Sequence, residues 1–212
     1  MRIAVALFPR VTALDAVGPY EVLQRLPDAT VTFVGHRKGE IRTENGFLGL
    51  TVDATFDELP DPDVVVVPGG VGTRPLLTDE SILSWIRKAH ATSRFTTSVC
   101  TGSMLLAAAG LLPGLEATTH WSATDELAGL GAVPASQRVV EHLDQRILTG
   151  AGVSAGIDMA LRLAELLTDQ VTAKAMQLMI EYDPQPPFAA GNLAGAGDEV
   201  LTAVIELSKL KS

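Results

Sequence analysis

A single cysteine, Cys100, stands among 212 residues, so no internal disulfide and no cysteine-based structural zinc site can be assembled. The four histidines are scattered, without a helical pair four residues apart, and add no metal-ligand pattern. Basic charge is also scarce: 16 Lys+Arg against 25 Asp+Glu leave a net charge of −9 and no basic cluster. Nucleic acid and anionic membrane are poor partners for such a surface. No uninterrupted apolar run approaches the roughly 20 residues of a membrane span, and the run from residue 3 to 8, ended by Pro9, is too short for a secretory leader. These absences predict a soluble cytoplasmic protein that uses no metal. They leave open a reactive thiol.

With 47% hydrophobic and 19% charged residues, the chain has enough apolar material for one domain over 1–212. Valine- and isoleucine-rich runs at 3–7, 31–34 and 64–67 lack polar alternation, as parallel strands covered on both faces do. Amphipathic helices are predicted over 15–26 and 79–91. Asn45-Gly46 marks a hairpin within 39–50, read as decoration on the sheet margin. A strand at 94–99 runs into Cys100 and a small helix over 101–112. Shorter strands are expected at 116–120 and 146–148, with helices over 122–127, 157–167 and, capped by Thr168 or Asp169, from there to a stop before Asp183. The segment 184–197 is rich in Pro, Gly and Ala, either a surface tether or a flap that packs Phe188, and a last helix follows over 198–210. This alternation predicts an α/β fold: a right-handed, doubly wound sandwich with a mostly parallel sheet, whose ligands sit beyond the carboxyl ends of the strands.

Chemistry should therefore lie at the strand ends, and three of them are unusual. Cys100-Thr101-Gly102 has the form of a nucleophile elbow, where a small residue two places on lets the turn close. A thiol at such an elbow faces helix N–H groups that favour the thiolate. Pro68-Gly69-Gly70-Val71 lacks Cβ atoms at its centre, so its backbone N–H groups can approach a ligand closely; the alternative is a plain tight turn. Asp15, an acid among Leu14, Ala16 and Val17, either caps its helix or is held protonated beside the thiol by burial and like charge. His120 and Trp121 end another strand as further candidates, and Thr101, next to the cysteine, cannot act as a base.

Together the segments 14–23, 67–72, 97–103, 117–121, 148–158 and 181–188 resemble the ThiJ/PfpI superfamily and, within it, the isonitrile hydratases. The resemblance implies a flavodoxin-like three-layer α/β/α sandwich. It implies Cys100 as nucleophile, Asp15 as the acid bonded to its sulfur, and backbone N–H groups of Thr101 and Gly70 facing the pocket. Val71, His120 and Trp121 join Gly70 as candidates for holding substrate. Peptidases of the superfamily carry His directly after the cysteine, so Thr101 argues against peptidase activity. The superfamily also holds regulators with an added helix-turn-helix module, which the roughly 30 residues after Tyr182 are too few to form. The implied reaction is hydration of a small-molecule isonitrile to a formamide by a homodimer, with no cofactor. Glyoxalase-like carbonyl chemistry and a non-catalytic cysteine redox sensor are the alternatives.

Overall fold

Four consecutive valines at 64–67 can lie in one strand because helices cover both of its faces, and all four are fully buried. The computed structural model describes residues 1–209, in two units, of which Met1–Ile180 carries the sheet. Its central strands are β1 (Arg2–Ala6), β2 (Thr30–Gly35), β6 (Val64–Val67), β7 (Phe95–Val99) and β11 (Ile147–Gly150), all parallel. Two edge strands complete the sheet: β5 (Ala54–Thr55) beside β2, and β10 (Val139–His142), antiparallel to β11. The order β10-β11-β7-β6-β1-β2-β5 is flavodoxin-like, with its switch point between β1 and β6. On one face α1 (Ala13–Leu23) packs on α5 (Ala155–Leu167), which carries α6 (Gln170–Met179). The other helical group links α2 (Glu80–Thr92), α3 (Gly102–Ala108) and α4 (Thr124–Gly129). The predicted α/β/α sandwich is the fold.

Local chemistry sets several element ends. Asp79 caps α2 by accepting the Ser81 N–H at 2.9 Å. Of the two residues expected to cap α6, Asp169 does so, accepting Val171 N–H at 2.8 Å and Thr172 N–H at 3.0 Å. The 39–50 hairpin forms as β3 (Gly39–Arg42) and β4 (Gly49–Val52), a separate two-stranded sheet.

Other expectations are corrected. The strand expected at 116–120 is only β8 (Glu116–Ala117), and it pairs with β9 (Val133–Pro134) outside the main sheet. Residues 118–119 spend their polar groups on the centre of the fold instead: Thr118 N–H donates to Thr149 Oγ1 at 3.1 Å, and Thr119 Oγ1 to the Cys100 carbonyl at 3.1 Å. The β10–β11 hairpin is not legible in the sequence because its turn uses Arg146 at φ +58°, where glycine or asparagine would be the usual signal. The 3₁₀ segment Val71–Thr78, with Pro75 inside it, likewise lacks an expected counterpart. Helix α3 is shorter than the predicted 101–112, and the predicted 122–127 helix is a 3₁₀ turn, Trp121–Ala123, leading into α4.

The second unit, 181 onward, contains α7 (Leu193–Lys209), interrupted at Gly197 by φ +74° and ψ 164°, so that its regular part begins at the predicted residue 198. Leu210, the predicted end, lies outside the described residues.

Gly102 is the tightest steric constraint at the elbow: a Cβ there would lie 2.1 Å from the Val67 carbonyl oxygen. Gly102→Ala is expected to destabilise the protein by about 2 kcal/mol or more, because backbone must move. Denaturant unfolding measures this; a loss within about 0.5 kcal/mol, the range of an ordinary surface substitution, would contradict it.

Candidate active site

Cys100 is the residue at which β7 stops, and it turns with φ +57°, a conformation that costs a non-glycine residue on the order of 1–3 kcal/mol. The surroundings over-determine it. Its N–H donates to the carbonyls of Gly150 at 3.0 Å and Ala151 at 2.9 Å, at the end of β11. Its own carbonyl accepts from Ser103 Oγ and Thr119 Oγ1, both at 3.1 Å. The side chain is 5% exposed.

Asp15 lies in the first turn of α1, fully buried, and does not cap that helix, whose N-cap position is Thr12. Its Oδ2 accepts the Gly69 N–H at 2.9 Å, while Oδ1 has no hydrogen-bond partner. The Gly69 position explains this close approach: a Cβ there would sit 2.5 Å from Thr101 N and 3.0 Å from Asp15 Oδ2. The Gly-Gly turn is thus wedged between the acid and the residue that follows the thiol.

The Asp15 carboxyl is pushed up to about 7, first by burial and slightly by the charge of Glu44; the Gly69 and Cys100 hydrogen bonds pull the other way. The thiol is pushed up to about 12 by burial and then by the Asp15 charge, against the pull of the Val153 and Thr101 N–H groups. The N–H groups expected at an elbow are present, but the net direction is opposite to the one expected, because desolvation and a like charge outweigh them. Near neutrality the thiol keeps its proton, and the carboxyl takes one up as pH falls through about 7.

Gly70 and Val71 are where the turn was expected to offer free donors, and both N–H groups are engaged. Gly70 N–H donates to Thr101 Oγ1 at 2.9 Å. Thr73 completes the buried cluster, its Oγ1 2.8 Å from the Gly70 carbonyl and 3.2 Å from Thr101 Oγ1. Val71 N–H donates to Glu44 Oε1 at 3.2 Å. Glu44 arrives on the β3–β4 hairpin, which is strapped to the loop after β1 by Arg10 N–H to the Arg42 carbonyl, 2.8 Å, and Glu44 N–H to the Val11 carbonyl, 3.2 Å. The hairpin read as decoration delivers a charge to the site.

His120 and Trp121 stand further out. The His120 ring covers Gly152, where a Cβ would lie 2.7 Å from its Cδ2, and Nδ1 is 2.7 Å from Ser122 Oγ. Burial lowers its pKa, with Arg74 adding to this and Glu44 opposing it, so the ring is neutral at neutral pH. The Trp121 ring lies 5.2 Å from it, tilted by 38°, and Trp121 is 41% exposed. His120 therefore packs over the Gly152 backbone. Sequence reasoning missed Glu44, Thr73 and Val153; of these only Val153, inside the Gly-rich segment 150–156, carried a local signal. Among the described residues no group of three His, Cys, Asp or Glu could hold a metal, and no helix is long and apolar enough to cross a membrane.

Residues 1–166 match the model of the DJ-1/PfpI family. The chain is 47% identical over 192 residues to the isonitrile hydratase of Pseudomonas putida, covering 91% of this chain and 83% of that one. It is 34% identical over 136 residues to the HTH-type transcriptional regulator GbdR of Pseudomonas aeruginosa, 64% of this chain and 37% of the regulator. A crystal structure of a ThiJ/PfpI family protein from Pseudomonas syringae superposes with a TM-score of 0.91 at 40% identity, covering 99% of this chain and 86% of that one.

Two outcomes follow from the paired titration. Because the Asp15 carboxyl binds its proton more tightly in the folded chain, stability falls as pH rises from the ordinary 3.8 through about 7. The stability of Asp15→Asn relative to the parent should therefore grow with pH across that window, and a flat difference would remove the claim of a raised carboxyl. Removing the charge also lowers the thiol pKa, so iodoacetamide should label Cys100 faster in Asp15→Asn than in the parent at pH 8. Slower labelling would mean that Asp15 supports the thiolate.

Proposed function

The chain belongs to the DJ-1/PfpI family, and from that premise we propose that it hydrates isonitriles, R–NC, to N-substituted formamides through a covalent thioimidate on Cys100. The observation that carries this is the buried Asp15 carboxyl, anchored by the Gly69 N–H, beside the buried Cys100 thiol, both raised by burial. The likeness to the Pseudomonas putida enzyme supports the substrate class.

Addition of sulfur to the terminal isonitrile carbon forms the C–S bond and places an electron pair on that carbon. The proton of the pair then makes the C–H bond, leaving a thioimidate, R–N=CH–S–Cys100, beside an ionised Asp15. Ionised Asp15 takes a proton from water as its oxygen adds to the same carbon, and delivers that proton to nitrogen. In the last step the carbinol proton returns to Asp15 while the C–S bond breaks, releasing R–NH–CHO and restoring the pair. Every atom comes from isonitrile and water, so the reaction asks for no cofactor.

Thr101 and Val153 hold the sulfur through their N–H groups in this scheme, Gly70 fixes Thr101, and Val71, His120 and Trp121 border the substrate side. The proposal includes a homodimer in the cytoplasm; the buried free thiol suits a reducing compartment, and light scattering of the purified chain measures the assembly.

Purified protein with an alkyl or aryl isonitrile should yield the formamide. Cys100→Ala should abolish it, and Asp15→Asn should lower kcat/KM by about 100-fold or more. An inactive parent protein would overturn the assignment, and unchanged turnover in Cys100→Ala would overturn the mechanism.

A further inference from the structure

Glu44 is an acid without a cation. Its Oε1 accepts the Val71 N–H at 3.2 Å, and among the described residues it forms no ion pair: Arg42, on the same hairpin, pairs with Glu40 at 2.8 Å, and Arg74 closes a two-bonded fork on Glu126. The backbone bonds from Arg10 N–H to the Arg42 carbonyl and from Glu44 N–H to the Val11 carbonyl fix the hairpin to the loop that leads into α1. The carboxylate is therefore held in place rather than loose in solvent. Its distance from the reacting pair is bounded by the chain itself. Val71 follows Gly69 by two residues, and the Gly69 N–H donates to Asp15 Oδ2 at 2.9 Å, so the bonded oxygens of Glu44 and Asp15 are at most about 13 Å apart. The charge is felt on both sides of the site. Burial is the first cause of the raised Asp15 carboxyl and the Glu44 charge adds to it; burial is the first cause of the lowered His120 pKa and the Glu44 charge opposes it. The exposed residues next in sequence to Asp15, Gly70 and His120 are apolar: Leu14, Val71 and Trp121.

We propose that Glu44 is a specificity residue that disfavours anionic substrates at Cys100, so that the protein takes isonitriles whose R group is neutral or cationic in preference to those that carry a carboxylate. This deepens the hydratase reading and rests on it for the isonitrile, whereas the charge preference stands by itself. An isonitrile group is neutral overall, so a fixed charge can sort such substrates only through R. A carboxylate on R would enter the field of Glu44, and the guanidinium of Arg74, whose charge also reaches His120, is already committed to Glu126. An ammonium group on R would find in Glu44 a carboxylate that no cation has neutralised, and a neutral R would meet the apolar neighbours.

The readout is the rate at which iodoacetate, an anion, labels Cys100, divided by the rate for iodoacetamide, its neutral analogue, at an ionic strength of about 0.01 M, where screening sets in only beyond about 30 Å. Both reagents consume the same thiolate, so a change in the thiol pKa cancels in the ratio, and no turnover is needed. Glu44→Gln keeps the size and the acceptor and removes the charge. The ratio is expected to rise about threefold, and the rise to fade at about 1 M salt. Glu44→Ala, a second uncharged variant at this exposed position, should show the same rise. Asp28→Asn removes an equal charge beside Met1, at the amino end of β1, and should leave the ratio unchanged. An unchanged ratio in the Glu44 variants, or an equal rise in Asp28→Asn, would overturn the proposal. With substrates, the preference in kcat/KM for methyl 4-isocyanobenzoate over 4-isocyanobenzoate should shrink about threefold in Glu44→Gln. A parent protein inactive on both would defeat the hydratase reading, whereas the labelling ratio alone judges the charge preference.

Discussion

A carboxyl and a thiol, each taken out of water next to the other, cannot both ionise near neutrality, and the rest of the site is arranged around that constraint. Burial comes first in raising both groups; the Asp15 charge raises the thiol further, whereas the hydrogen bond from the thiol lowers the carboxyl. The protein accepts this because the two come from different strand ends held rigidly: Asp15 from the start of α1, Cys100 from the elbow after β7. The Gly69 N–H on Oδ2 fixes the carboxyl's direction, and the unpartnered Oδ1 leaves it an unused acceptor. Isolated, either group would be an inert core residue. Together they place a buried acid beside a thiol.

The fold supplies the adjacency. In the order β11-β7-β6-β1-β2, the ends of β1, β6 and β7 lie side by side at the switch point, so three loops distant in sequence converge without a long excursion by any of them. Two residues with left-handed backbone meet at the same place, Cys100 at φ +57° and Val153, whose N–H faces the sulfur, at φ +36°. Strain of this kind persists only where hydrogen bonds and packing over-determine it. The bonds from Cys100 N–H to Gly150 and Ala151, and from Thr119 to the Cys100 carbonyl, do so.

Much of this was legible before any coordinates, for identifiable reasons. Unalternating valines at 64–67 and the elbow pattern at 100–102 are local signals, and they located the sheet and the elbow cysteine. Asp15 stood out as an acid in apolar text. Glu44 did not, because an exposed acid in a hairpin looks like any solvated charge until the strap to Arg10 and Val11 places it beside Val71. Thr73 and Thr101 hydroxyls were equally silent, since a threonine's partner depends on tertiary placement. The direction of the thiol's pKa also escaped: an elbow advertises N–H donors in sequence, whereas the depth of burial that overrides them is a property of the assembled core.

The central claim is that Cys100 carries the substrate covalently. Rapid quenching of the protein with a slowly hydrolysed aryl isonitrile, followed by intact and peptide mass spectrometry, tests it most directly. The account predicts a transient species heavier by the whole isonitrile, located on Cys100, formed and lost at rates compatible with formamide release. Formamide production with no adduct on Cys100 at any time point would contradict it.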